Sequence, residues 1–114
     1  MKSHLKNLSE KKYRACLALL VKMRLLESSW RLKVTEQMMF VSEFLEAGKY
    51  EPRIYEVLPA ALLHYPQYFL GEIPQDLKLI LNKTTKKKKF YGIDIQKCYF
   101  WMKYPRPEDY FNDW

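Results

Sequence analysis

The stretch Ser9–Leu26, SEKKYRACLALLVKMRLL, decides how the rest of the chain is read. At 100° per residue, Cys16, Leu19, Leu20, Met23 and Leu26 fall on one side of a helix, while Lys11, Arg14, Ala18 and Lys22 share the opposite stripe. Ser9 is placed to cap this helix, and Glu10 puts a carboxylate in the first turn, where the helix dipole favours negative charge. The reading is an amphipathic helix with a basic outer edge, and Ser28 and Ser29 offer a break after it.

Outward from this helix, Val34, Met38, Val41 and Leu45 recur at spacings of four, three and four, which predicts a second helix from about Trp30 to Ala47. Gly48 is placed to end it as a left-handed cap. Its far face carries Glu36, Glu43 and Glu46 with Met39 among them, and Phe40 also lies off the inward side. A third helix starts at Pro52 or at Pro59, because proline suits a first turn and breaks an interior, and it runs to His64, where Pro66 stops it. Pro74 opens a short helix carrying Leu77, Ile80 and Leu81 inward. Asp94 caps a final helix to about Tyr104, with Ile95, Cys98, Tyr99 and Met102 inward and Lys97, Phe100 and Trp101 on the other side. Pro105 and Pro107 end it, leaving residues 104–114 as an aromatic and acidic tail.

No internal repeat and no sustained strict alternation is present, so a sheet of any size is not expected. The fold class predicted is all-α: a compact single domain, residues 1–114, of four to six short helices with a lysine-rich loop before the last one. That loop, Asn82–Lys89, is the one low-complexity stretch, and mutual repulsion of its four consecutive lysines favours exposure. With 48% hydrophobic and 16% aromatic residues the chain can build a core, which excludes wholesale disorder. Cys16 and Cys98 sit in apolar helical stretches and read as buried free thiols. Neither a signal peptide nor a membrane span is legible, since the most continuous apolar run is Ala15–Val21. The expected location is the cytoplasm, and the lysine run is compatible with a nuclear address.

The net charge of +7 is arranged in blocks. Met1–Lys33 is basic, Val34–Leu77 acidic, Lys78–Lys103 basic, and Tyr104–Trp114 acidic again. Such a chain suits an acidic partner, or a second protein surface of opposite sign.

Chemistry-bearing motifs are sparse. Gly48, Gly71 and Gly92 lie too far apart for a phosphate-cradling loop, and no serine stands between glycines as a nucleophile elbow requires. His4, Cys16, His64 and Cys98 are not paired at metal-ligand spacing. The glutamate row reads as a solvated face rather than as acid and base for His64. The expectation is a non-enzymatic protein without metal or cofactor.

The positive signal is Lys83 and Lys86, Lys87, Lys88 and Lys89 followed at once by Phe90 and Tyr91, with Lys97, Trp101 and Lys103 downstream. Lysines neutralise phosphates and flat rings stack on unpaired bases. With Lys11, Lys12, Arg14 and Lys22 of the first helix, these residues form the expected nucleic-acid-binding set of a small regulatory or accessory protein. The long connection between the last two helices opposes a helix-turn-helix reader. The alternative is a protein-interaction subunit, adaptor or antitoxin-like, or a self-associating one. It would use Glu36, Met39, Phe40, Glu43 and Glu46 with Phe100 and Trp101, two rings whose other reading is a second core contact. Membrane-surface binding by the first helix is less economical, because so short a chain needs that apolar face for its core.

Overall fold

The computed structural model describes residues 8–27, 34 and 36–105. Helix α1 spans Glu10–Lys22. Its start is fixed as its sequence dictates, with Ser9 Oγ accepting the Lys12 amide at 3.2 Å. It ends on Arg24 at φ 64°. The Arg24 and Leu25 amides donate back to the Val21 and Leu20 carbonyls at 2.9 and 3.0 Å, a Schellman closure whose buried Leu20 and Leu25 lock the turn. All five predicted inward residues are buried; Ala18, expected on the outer stripe, is buried as well.

The second helix departs from its sequence reading. Strand β1 is Met39–Phe40 and α2 only Val41–Ala47; residues 34 and 36–38 are not helical, while 28–33 and 35 lie outside the described residues. Two contacts set the later start. Glu43 Oε1 accepts the Phe40 amide at 3.0 Å, the backward-reaching half of a capping box, which Phe40 has no side-chain acceptor to return. Met39 and Phe40 also pair in parallel with Phe69 and Leu70 of β2 (Phe69–Leu70), which commits their backbone to an extended path. The inward side consequently turns: Val41, Phe44 and Ala47 are buried, whereas Val34 and Met38 are exposed.

Gly48 is not a left-handed cap; its φ is −62°. Its smallness serves Tyr55, because a Cβ at Gly48 would clash with the Tyr55 ring. Helix α3 then runs Arg53–His64 with Pro52 at its cap and Pro59 inside it, which resolves the choice of start in favour of the first proline. A 3-10 turn, Pro66–Tyr68, leads into β2, and α4 follows as Gln75–Leu81 with Pro74 as its cap. Strands β3 (Lys89–Phe90) and β4 (Ile93–Asp94) form a minimal antiparallel hairpin, and α5 is Ile95–Lys103.

The architecture is therefore mainly helical, five α-helices among the described residues, but not purely so: two pairs of two-residue strands are present. Helix α3, apolar nearly all round, is the central element, and α5 makes its most extensive contact. Helix α1 lies on α2, and Phe44, Leu19, Leu20, Ile54, Leu58, Leu77 and Ile80 fill the centre. Cys16 and Cys98 are buried free thiols. Among the described residues no helix is long and apolar enough to cross a membrane.

Candidate nucleic-acid interface

The lysine segment leaves α4 through a second Schellman closure. Lys83 takes the left-handed position (φ 57°), and the Lys83 and Thr84 amides donate to the Ile80 and Leu79 carbonyls at 3.0 and 2.8 Å. A cation at this place also faces the negative end of the helix. The ammonium of Lys83 stands 5.8 Å from the centre of the Tyr99 ring. Residues 84–88 belong to neither helix nor strand. Besides the Thr84 amide, three bonds hold them: Thr84 Oγ1 donates to the Leu79 carbonyl at 3.4 Å, Thr85 Oγ1 accepts the Lys87 amide at 3.2 Å, and the Lys88 carbonyl accepts the Ile95 amide at 2.9 Å. At the far end Asp94 caps α5 by accepting the Gln96 amide at 2.9 Å.

This anchoring separates backbone from side chains. Lys86, Lys87, Lys88 and Lys89 are all exposed and, among the described residues, make no ion pair. Lys87 and Lys89 form a ridge between two adjoining hollows. One, of about 210 Å³, is lined by Tyr91 and Asp76 over a floor of Ile80, Phe90 and Ile95. The other, of about 410 Å³, adds Lys88, Asp94, Gln96 and Tyr99. No residue of α1 lines either hollow.

Phe90 and Tyr91, adjacent in sequence, part company. Phe90 is 3% exposed and belongs to the core, which corrects its place in the expected stacking set; its ring stands edge-on to Tyr55 at 5.8 Å. Tyr91 is 53% exposed and lies flat on Tyr55. Strand alternation accounts for Phe90: with its neighbour Lys89 outside, the next side chain must point in. Tyr55 itself escaped the sequence reading. It is buried, its hydroxyl donates to the Leu45 carbonyl at 2.7 Å, and burial first, with Tyr91 and Glu46 adding to it, pushes the phenol up to about 12. A tyrosine one helical position after an isoleucine carries no signal that would have marked it as the support of an exposed ring.

The first helix places its cations elsewhere. Lys11 and Arg14 are exposed, Lys22 lies 5.2 Å from the Tyr68 ring centre, and Lys12 pairs with Glu43 at 3.0 Å. That pair joins a residue of the expected nucleic-acid set to one of the expected partner set, so the basic edge of α1 meets the acidic edge of α2 within one molecule. The Glu43 side chain is only 14% exposed, and Glu46 pairs with Lys49 at 3.1 Å. Lys97 is exposed on α5.

Of the remaining partner set, Glu36 and Phe40 are exposed, Met39 is a core residue, and Phe100 is exposed with its ring against Trp101 and Tyr104. Trp101 makes the second contact with the body that is the alternative to a partner anchor. It is half-buried, and its Nε1 donates to Glu56 Oε2 at 2.6 Å, fixing α5 to α3. Of the aromatic tail, residues 106–114 lie outside the described residues.

His64, weighed as a base, bonds through Nε2 to the Met102 carbonyl. Among the described residues no three His, Cys, Asp or Glu side chains converge on a metal-sized site. Compared with known proteins, the chain matches no protein-family profile, no curated protein sequence and no solved structure.

Proposed function

We propose that this chain is a small, non-enzymatic regulatory or accessory protein that binds nucleic acid through Lys83 and Lys86–Lys89, with the exposed cations of α1 as further phosphate contacts. The observation that carries this reading is the cation-rich ridge: consecutive ammonium groups held out from a well-anchored backbone, with no ion pair among the described residues, only Asp76 and Asp94 in the adjoining hollows, and an exposed ring beside them. Excess positive charge at a fixed surface attracts a polyanion and releases its counterions. The test is a titration of RNA and DNA oligonucleotides against the wild-type chain and a variant with Lys86–Lys89 changed to glutamine. If four lysines contact duplex phosphates, wild-type affinity falls roughly a hundredfold between about 50 and about 200 mM salt, and the variant loses most of that dependence. Equal binding by the two proteins removes the ridge from the reading.

A second reading, a protein-interaction subunit, has its own observation. Phe40 (50% exposed) and Leu70 are register partners in the β1–β2 pair, both exposed, and Met38 beside them is exposed too. Apolar side chains gathered at a short strand pair suit a partner surface or a second copy. Sedimentation over a concentration series, with Phe40→Glu as the comparison, distinguishes it: association that the substitution abolishes and salt leaves intact supports an apolar interface.

A further inference from the structure

Tyr91 stands where tyrosine is ill suited. With Gly92 it forms the two-residue connection between β3 and β4, both at positive φ, 49° and 82°. Such mirror-image hairpin turns favour Asn-Gly, Asp-Gly or Gly-Gly, because a bulky side chain is strained in the left-handed region. The strain comes with a defined ring position. Tyr91 lies on Tyr55 with centroids 4.3 Å apart and planes within 10° of parallel, yet keeps more than half of its surface in solvent. Tyr55 is immobilised by its bond to Leu45, by the edge contact of Phe90 and by Gly48. Tyr91 is thus a flat ring, backed on one face by a rigid support, met by the perpendicular Phe90 ring at 4.9 Å, and otherwise more than half in solvent.

The charge beside it is uneven. The hollow lined by Tyr91 sets Asp76 against Lys87 and Lys89; the hollow beyond the ridge sets Asp94 against three lysines and ends at Tyr99. An apolar floor beside one exposed ring suits a base, and the more cationic side suits its phosphate. We propose that Tyr91 is the stacking platform for an unpaired base and that Lys87–Lys89 carry the attached backbone toward the second hollow, which makes single-stranded nucleic acid the ligand of this surface. A base within a duplex has both faces covered by its neighbours and cannot take this position. The inference rests on the nucleic-acid reading above and adds strand state and contact residue to it.

The test is fluorescence polarisation with a labelled mixed-sequence single strand and the matching duplex, using wild type and Tyr91→Asn. Asparagine suits the left-handed turn, and circular dichroism checks that the variant is folded. The wild type prefers the single strand, and the variant loses roughly 5- to 150-fold on it while its duplex affinity is unchanged. Independently of any substitution, an iodouridine-bearing single strand irradiated on the wild-type protein crosslinks to Tyr91, as read by mass spectrometry. Equal affinity for both strand states that Tyr91→Asn leaves unaltered, or crosslinks that avoid Tyr91, overturns the platform and leaves the lysine ridge standing. Absence of wild-type binding to either strand state overturns both.

Discussion

The thiol of Cys98 donates to the carbonyl of Tyr55, Sγ to O 3.7 Å, across 43 residues of sequence. That carbonyl lacks the usual α-helical donor, because the residue four positions on is Pro59, which has no N–H. A buried carbonyl without a donor is costly, and α5 supplies one. The same Tyr55 carries Tyr91 on its ring and lies against Gly48, so one residue connects the helix interior to the exposed surface.

This relationship predicts coupling between two distant residues. Cys98→Ala removes the donor and some core volume, and should lower stability by about 1–3 kcal/mol. Pro59→Ala restores a backbone N–H aimed at the same carbonyl. In that background the cost of Cys98→Ala should shrink by about 0.5–1.5 kcal/mol. Urea unfolding of the four proteins of the cycle gives the answer, and strict additivity would show that the thiol and the proline do not share an acceptor.

Stability should also fall in alkaline solution. Burial, with Glu56 and Asp94 adding to it, pushes the Cys98 thiol up to about 12, and burial also raises Cys16. A thiol whose folded value is raised leaves stability intact below the unfolded value of about 8.5. Above that, the unfolded chain releases the proton and the folded one does not, so stability is lost progressively until pH reaches the folded value. The urea midpoint should be flat between about pH 7 and 8 and decline above about 9, and both thiols should resist a disulfide reagent until the chain unfolds. Rapid labelling of the native protein would contradict this burial.

Gly48→Ala offers a test by sign. Its backbone is right-handed at φ −62°, where alanine would ordinarily stabilise by up to about 1 kcal/mol. The new Cβ meets the Tyr55 ring, which cannot swing aside while its hydroxyl is bonded and Tyr91 and Phe90 flank it. The expected outcome is destabilisation by about 1–3 kcal/mol, with loosening of the Tyr91 ring visible in its NMR line shape. A gain in melting temperature would show that the ring has room.

Glu43→Ala should cost about 1 kcal/mol, because the carboxylate caps α2 at Phe40 as well as pairing with Lys12. Lys12→Ala should cost less, since its ammonium is exposed and solvent screens the pair. Thermal unfolding of both variants compares them, and the reverse order would place the stabilisation in the ion pair rather than the cap.

Elements whose signals are local were legible in the sequence. Ser9 and Asp94 reach amides two or three residues away, so the starts of α1 and α5 follow from neighbouring side chains alone. The apolar spacing of α1, and the inward set Ile95, Cys98 and Met102, likewise need no knowledge of the rest of the chain. The four lysines announce their own exposure, because like charges repel wherever the fold puts them.

What only the tertiary structure decided involves partners far along the chain. Extended pairing of Met39 and Phe40 with Phe69 and Leu70 overrode a helical spacing that begins near Trp30. Cys98 made a proline tolerable inside α3, and Glu56 drew Trp101 inward. Tyr55 fixed where the exposed Tyr91 ring lies, through a stack that joins residues far apart in sequence. Periodicity records which side chains avoid water; it does not record which distant backbone or ring they will meet, and that meeting determines where a helix starts and which surface groups stand ready for a ligand.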